Sequence, residues 1–523
     1  MLYNTLIIGS GISGLTLAHI LGGKGQRVCL ITKEETLEKC NTYFAQGGIV
    51  SLGKNDSPEI LVKDIIKAGG KLVNKRVARE IAKEATAIIN RFLIEEIGVE
   101  FNKKEGHFLF TKEGAHSVPR ILYKNDYTGK EIETKLIEKI KKLKNVEIIT
   151  NCMAIDLIAN THHSKNPEER YKKKEVWGVY AYLVNEKRVI KIFAENTILA
   201  TGGIGYLFKH TTNPNSATGD GIAMAVRTGC EVINSEFIQF HPTTLYLPYS
   251  NERFLISESI RGEGAEIVNK NGYPILKDYH PLASLAPRDI VSRAIFDYLT
   301  KTKEPCVYLD LTKVKQKYSL KKRFPQIYQK CIEKNIDIEN NPIPVIPAAH
   351  YFCGGIKARL NGETNIKRLF AIGECACTGL HGANRLASTS LLEGLVMAYK
   401  CGESILKRKN PLSKRRISQI PQWIEPQGNI ADPVLIEGDI ENIRNLMWNY
   451  AGIIRSPKRL KRLETDLLLL YNTVENFYKE NRLSKRLIEL RNMITVARVI
   501  AKQALRNKES SGCHYITSER EDL

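Results

Sequence analysis

Three features of the sequence predict an α/β chain whose parallel sheet is interrupted by an α+β insertion and followed by a helical bundle. A glycine-rich turn, GSGISG, sits between an apolar strand and a helix within residues 2–31. Two further apolar strands end in glycine far downstream, NTILATGG at 196–203 and LFAIG at 369–373. From about Glu437 to Lys508 the apolar residues recur at helical spacing. Glycine-terminated strands so far apart predict one parallel sheet, with a ligand at the carboxyl ends of its strands.

The first unit reads as strand (LYNTLII), turn, helix (LTLAHILGG) and strand (RVCLI), a βαβ motif. Gly9 and Gly11 permit a tight turn and close approach to a pyrophosphate, Gly14 lets helix meet strand, and the helix N-terminus faces the phosphates. GxGxxG alone is a weak signal; in this frame it predicts a Rossmann-like dinucleotide-binding domain. The acidic residue expected at the end of the second strand is missing, and Lys33 stands there with Glu34 and Glu35 just after. NTYFAQGGI at 41–49, a glycine pair after small polar residues close behind the second strand, suits a loop wrapped around an isoalloxazine ring; taken alone it reads equally as a plain loop. Residues 235–350 carry HPTT, SESIRGEG, NKNGYP and APRD between short elements and read as an α+β capping domain. The expected organisation is therefore an FAD-binding domain in two parts (1–234 and 351–408) around the cap (235–350). A linker (409–433) and a C-terminal helical domain (434–523) follow, and only the last dozen residues read as loose.

With 43% hydrophobic and 26% charged residues, the composition is that of a globular protein. No apolar run approaches the roughly 18–20 residues that cross a bilayer. The first strand begins at about Leu2 and leaves no room for a signal peptide, so the cytoplasm is expected. Basic residues outnumber acidic ones 78 to 57, a net charge of +21, which raises nucleic acid or an anionic membrane as partners. The charges spread evenly, and the densest runs (Lys407–Lys409, Lys414–Arg416, Lys458–Arg462) lack interleaved aromatics, so solvated helix faces are the expectation and neither partner is. The 11 cysteines are odd in number and lack a CxxC pair, which argues for reduced thiols over disulfides or structural zinc, and no metal site is expected.

A second constellation consists of His241 in FIQFHPTT, Ser257, Glu258 and Arg261 in ISESIRGEG, Arg288 in LAPRD, His350 in PAAHYFCGG and Arg385 in HGANRLAS. Singly, a histidine at a strand end is more often a satisfied core residue, and an arginine a surface ion partner. As a set among glycines they describe a pocket for a dicarboxylate. Guanidinium forks grip carboxylates bidentately and keep their charge, and imidazoles add donors.

Taken in order, GSGISGL, TYFAQGG, ATGG, FHPT, ESIRGEG, APRD, PAAHYFCGG and GLHGANRLASTSLLE resemble the succinate dehydrogenase/fumarate reductase flavoprotein family over essentially the whole chain, and its aspartate-oxidising branch most closely. Asn41 stands where the respiratory members carry a histidine bonded to FAD, which implies non-covalent FAD. TKEGAHS at 111–117 is similar to the aspartate-oxidising version, which implies that Glu113 meets a substrate ammonium; the plainer reading is an exposed turn carboxylate. The implied reaction transfers the Cα hydride of L-aspartate to flavin N5, giving iminoaspartate, with reoxidation by oxygen or fumarate and delivery of the product to quinolinate synthase in NAD synthesis. A succinate dehydrogenase or fumarate reductase subunit is the alternative, and an RNA-modifying flavoprotein would leave the His/Arg set unexplained.

By the same resemblance His241, Ser257, His350 and Arg385 clamp the carboxylates, Glu258 orients them, and Arg288 sits beside the reacting carbons, either transferring a proton or only positioning substrate. FAD contacts are implied at Gly9, Gly11, Ser13, Gly14, Lys33, Thr42, Gln46, Gly47, Gly48, Gly202, Asp220, Glu374, Ser390 and Leu391. Ser257 replaces the usual threonine and keeps its hydroxyl, and Ser511 replaces a usual arginine in the tail.

Overall fold

The computed structural model describes residues 2–248, 253–408, 411–426 and 428–517. Its first half supplies β1 (Leu2–Ile8), α1 (Ile12–Gly23), β2 (Val28–Ile31) and α2 (Pro58–Gly69). There follow β3 (Val146–Ile149), β4 (Cys152–Ala159), β5 (Val176–Leu183), β6 (Arg188–Leu199) and α3 (Asp220–Thr228). The cap contributes β7 (Ile238–Leu245), α4 (Glu258–Gly262), β8 (Glu266–Val268), α5 (Arg288–Thr302), β9 (Val307–Asp310) and β10 (Ile343–Phe352). The chain then returns through β11 (Leu369–Ala371) and α6 (Ser390–Leu406), and ends in α7 (Pro433–Ala451), α8 (Pro457–Glu480) and α9 (Lys485–Arg506).

The main sheet runs β3-β2-β1-β6-β5-β4, with β11 beside the C-terminal half of β6. β1, β6 and β11, the three strands that end in glycine, lie side by side and parallel as expected. The sheet is mixed rather than parallel throughout: β5 pairs antiparallel with both β6 and β4. Those two added strands alternate less clearly than an exposed hairpin because they are covered on both faces; Trp177 on β5 is fully buried.

Gly9 has φ +117°, and a Cβ there would lie 2.1 Å from the carbonyl oxygen of Ala200 at the end of β6. The turn thus requires both a left-handed backbone and the absence of a side chain. Gly9→Ala is expected to cost more than about 2 kcal/mol, read as a lowered Tm, since a strained φ and a backbone clash add. An unchanged Tm would show that strand and turn can part.

The cap sheet, β7-β10-β9-β8, is antiparallel and closes its own core around Ile256, Ile295, Leu309 and Val345. The C-terminal helices are started by Asp432, Ser456 and Ser484, whose side chains accept from backbone N–H groups of the first turn, with proline at the first position of α7 and α8. On α9, Leu487, Leu490, Ile494, Ala497, Ala501 and Ala504 recur every three or four residues and are buried. They extend the core of the main sheet rather than forming a separate one.

The segment 411–420 also joins that core through Leu412 and Ile420, with a short helix at Lys414–Ser418. Lys458, Lys461 and Arg462 are exposed around the buried Leu460, a solvated helix face. Lys409 of the first basic run lies outside the described residues, as do 518–523. Up to residue 517 the tail is not loose: Cys513 N donates to Ala383 O at 3.0 Å, and buried Arg455 reaches His514 Nδ1 at 2.6 Å. Among the described residues no helix is long and apolar enough to cross a membrane.

Candidate active site

A cleft of about 1690 Å³, counting its open mouth, starts at the carboxyl ends of β1 and β6 and runs beneath the cap. Gly9, Gly11, Ser13, Lys33, Thr42, Gln46, Gly47, Gly48, Gly202, Asp220, Glu374, Ser390 and Leu391 line it. Gly14 does not. A Cβ at Gly14 would come within 2.1 Å of Gly9 O, so this glycine serves the helix–strand contact and not the cofactor wall. Thr42 Oγ1 accepts from Ile12 N at 3.0 Å and fixes the loop 41–49 against the first turn of α1.

The wall fits FAD. Gln46 Oε1 is a buried acceptor with no partner among the described residues, and the N-terminal turn of α6 opens on the cleft at Ser390 and Leu391. An orphaned acceptor and helix N–H donors suit a ring with both N–H and carbonyl edges, as isoalloxazine has. At the other end Lys33 Nζ is held by Thr218 (2.7 Å), Asp220 (2.8 Å) and Glu489 of α9 (2.7 Å). Burial would lower its pKa, but Asp220 and Glu489 outweigh that and keep it charged. Its ammonium is occupied by protein carboxylates, so Lys33 offers the cleft mainly its alkyl stem. Asn492 of α9 donates to Asp220 at 2.8 Å, so the C-terminal helix braces this end of the cleft.

Under the cap the same cleft narrows to a chamber lined by Glu113, His241, Ser257, Glu258, Arg288, His350 and Arg385, which the fold gathers from six separate segments. Arg288, at the first position of α5, pairs with Glu258 at the first position of α4, and Glu258 also meets Arg261 at 3.0 Å. Burial pushes Glu258 up, yet the two guanidiniums outweigh it and hold the carboxyl below its usual range. Arg261 itself is buried behind Glu258 and does not line the chamber.

The two imidazoles meet edge to face, ring centroids 5.1 Å apart. Burial, then Arg288, lowers both pKa values well below the ordinary histidine range, so both rings are neutral. His241 Nδ1 lies 3.0 Å from Thr243 O and 3.2 Å from Thr243 N, and the Thr212 hydroxyl lies 2.8 Å from His350 Nδ1. With Nδ1 accepting from the Thr212 hydroxyl, neutral His350 presents Nε2–H as a donor without adding charge; His241 does the same in the tautomer whose Nδ1 accepts from Thr243 N, whereas the tautomer that donates to Thr243 O leaves Nε2 an acceptor.

Glu113 is not an exposed turn residue; it is 2% exposed. Its carboxylate accepts from Ser259 Oγ (3.0 Å) and Ser388 Oγ (2.7 Å). Burial and the neighbouring Glu258 raise its pKa, against opposing effects of Arg288 and the two hydroxyls. A Cβ at Gly47 would lie 2.7 Å from Glu113 Oε1, so this carboxylate abuts the loop that walls the cofactor.

These features have counterparts elsewhere. A family model described as "FAD binding domain" matches residues 4–391, and one described as "Fumarate reductase flavoprotein C-term" matches 440–522. "L-aspartate oxidase 1" of Ralstonia nicotianae is 41% identical, over 98% of this chain and 95% of its own length. The chain belongs to the L-aspartate oxidase family. The chloroplastic L-aspartate oxidase of Arabidopsis thaliana is 36% identical over 98% of this chain and 81% of its own length. Among solved structures, a quinol fumarate reductase chain from E. coli superposes with a TM-score of 0.85 at 27% identity, covering 99% of this chain and 92% of that one.

In this member of the L-aspartate oxidase family, several site residues had escaped the sequence reading. Gln239 stands inside FIQFHPTT, two residues before His241. It is fully buried, its Oε1 accepts from Arg288 Nη1 and Arg385 Nη2 at 3.1 Å each, and its Nε2 donates to Asn384 Oδ1 and Arg385 O at 2.7 Å. One amide therefore sets the spacing of two guanidiniums. Ser259, Ser388 and the two orienting threonines were missed as well. The only sequence signal for Ser259, Ser388 and Thr243 is nearness to motif residues, and Thr212 has none.

Asn41 donates to Glu374 Oε2 at 3.2 Å, and Phe352 N donates to Oε1 at 3.0 Å. Burial still raises Glu374 to about 7 from 4.5. A carboxyl whose folded pKa lies above its unfolded value binds its proton better when folded, so it loses stability as pH rises from 4.5 through 7. The FAD-free protein should therefore lose about 2.5 kcal/mol between pH 5 and 8 relative to Glu374→Gln, measured as the difference in urea midpoints. Equal slopes in the two proteins would remove Glu374 as the titrating group.

Proposed function

We propose that this chain oxidises L-aspartate to iminoaspartate with FAD bound non-covalently, with fumarate or oxygen as the terminal acceptor. The observation that carries the reading is Glu113, a carboxylate sealed into an otherwise cationic chamber against the cofactor wall. A pocket for two carboxylates alone has no use for it; a substrate with an ammonium beside one carboxylate does. When bound, FAD supplies an acceptor for the hydride leaving Cα. As the C=N bond forms, the ammonium sheds a proton, and Glu113 is the acceptor assigned to it.

His241, Ser257 and His350 are read as donors to one carboxylate and Arg385 to the other, with Arg288 set over the carbon that reacts by Glu258 and Gln239. Arg288 is assigned an electrostatic role in aspartate oxidation, because nothing in that direction needs it to give up a proton. The cap, read as residues 235–350, excludes water from the chamber. Fumarate shares the substrate's two carboxylates and would enter the same chamber as oxidant. We place the reaction in the cytoplasm, with iminoaspartate passing to quinolinate synthase.

The test is anaerobic mixing of the yellow holoprotein with L-aspartate and, separately, with succinate, following the oxidised flavin band. Fast bleaching by L-aspartate alone is the expected result. Bleaching by succinate and not by L-aspartate would move the chain to the dicarboxylate-oxidising branch.

A further inference from the structure

Glu113 rides on an excursion from a short hairpin. Phe110–Thr111 pairs antiparallel with Ile121–Leu122, and Arg120 N donates to Thr111 O at 3.2 Å, closing the neck. Near the apex the chain is strained, with Ala115 at φ +65°, a left-handed backbone that a residue with a Cβ rarely adopts. Such a conformation persists only where its surroundings impose it.

A buried ion cluster lies at the foot of the excursion. Arg120 is fully buried. Its Nε and Nη2 donate to the two oxygens of Asp56 at 2.9 and 3.1 Å, and its Nη1 donates to Asp64 on α2 at 2.7 Å. Asp64 Oδ2 also accepts from Ser117 N and Ser117 Oγ at 2.8 Å each. On the opposite side His116 Nε2 lies 3.0 Å from Ala387 O, next to Ser388, which binds Glu113. None of the three ionic residues lines the chamber.

We propose that Arg120, Asp56 and Asp64 form a positioning device for the amine corner of the site: by pinning Ser117 they hold the strained turn and with it the Glu113 carboxylate. The proposal rests on the assignment of Glu113 to the substrate ammonium. The device acts on amine recognition, and its loss does not weaken dicarboxylate binding, because Arg288, Arg385 and both histidines hang from other segments. Lysine cannot replace Arg120, since an ammonium lacks the fork that spans Asp56 and Asp64 together.

The experiment compares two constants in holoprotein variants: KM for L-aspartate, and Kd for succinate from its perturbation of the flavin spectrum. Wild-type bleaching by L-aspartate is checked first; its absence defeats the functional reading and this proposal with it, before any variant is read. Arg120→Lys is expected to raise KM for L-aspartate by about ten-fold or more, and Ser117→Ala by about three-fold, with Kd for succinate weakened by no more than about two-fold. In a Glu113→Gln background Ser117→Ala should add no further loss, as for two changes acting through one contact. A ratio of the two constants equal to wild type, or losses that add fully to Glu113→Gln, overturns the proposal. If Arg120→Lys does not fold, Ser117→Ala decides alone, since it leaves the ion cluster intact.

Discussion

Arg288→Lys is expected to lower the rate of flavin reduction by L-aspartate by about 10²- to 10³-fold while FAD stays bound. Two nitrogens of Arg288 are committed, Nε to Glu258 and Nη1 to Gln239, so the third is left to meet substrate. A lysine keeps the charge that compensates buried Glu258, which protects folding, but a point donor cannot hold Glu258, Gln239 and substrate at once. The loss should fall on the rate constant more than on the L-aspartate concentration for half-saturation, because Arg385 and the two histidines still bind the carboxylates. Stopped-flow anaerobic reduction measures both. A rate within ten-fold of wild type would take Arg288 away from the reacting carbon and leave it as a partner of Glu258.

Charged and glycine-rich parts of this site were legible in the sequence because their chemistry is unusual where it occurs. A histidine beside FHPT, an arginine in APRD and a glycine pair after a strand each break the local pattern of their element, and the break marks the residue. β1, β6 and β11 could be assembled from their apolar runs because each ends at the same cleft. Residues that act by holding others were not legible. Gln239 reaches Arg385 across 146 positions, and Ser388 reaches Glu113 across 275, so the sequence around each says only that it is polar. Lys33 marks where an acid was expected, but its partners Asp220 and Glu489 come from α3 and α9, and no local pattern predicts that a helix near the C-terminus closes the cleft opened by the first βα turn. The antiparallel strands β4 and β5 were missed for a related reason: buried on both faces, they lack the alternation that identifies a hairpin.

Glu113→Gln is expected to raise KM for L-aspartate by roughly 10- to 100-fold, the equivalent of about 1.5–3 kcal/mol for a hydrogen bond to a charged group. The pH dependence makes the assignment specific. With Glu113 ionised, the chamber and its backing hold three guanidiniums (Arg261, Arg288, Arg385) against two carboxylates (Glu113, Glu258), one positive charge in excess, which matches the net −1 of L-aspartate. With Glu113 protonated the excess is two, which matches succinate or fumarate. Burial and Glu258 raise the Glu113 pKa, so the change of state falls above the usual carboxylate range. An ammonium needs the ionised form: affinity for L-aspartate should rise with pH through that range, while affinity for succinate falls. Glu113→Gln, neutral at every pH, should flatten both slopes and bind succinate at least as well as wild type does at high pH. Parallel slopes for the two ligands would mean that Glu113 does not face the substituent that distinguishes them. Opposite slopes that vanish together in the variant would tie the raised pKa, the cationic chamber and the choice of an amino acid over a plain dicarboxylate to one side chain.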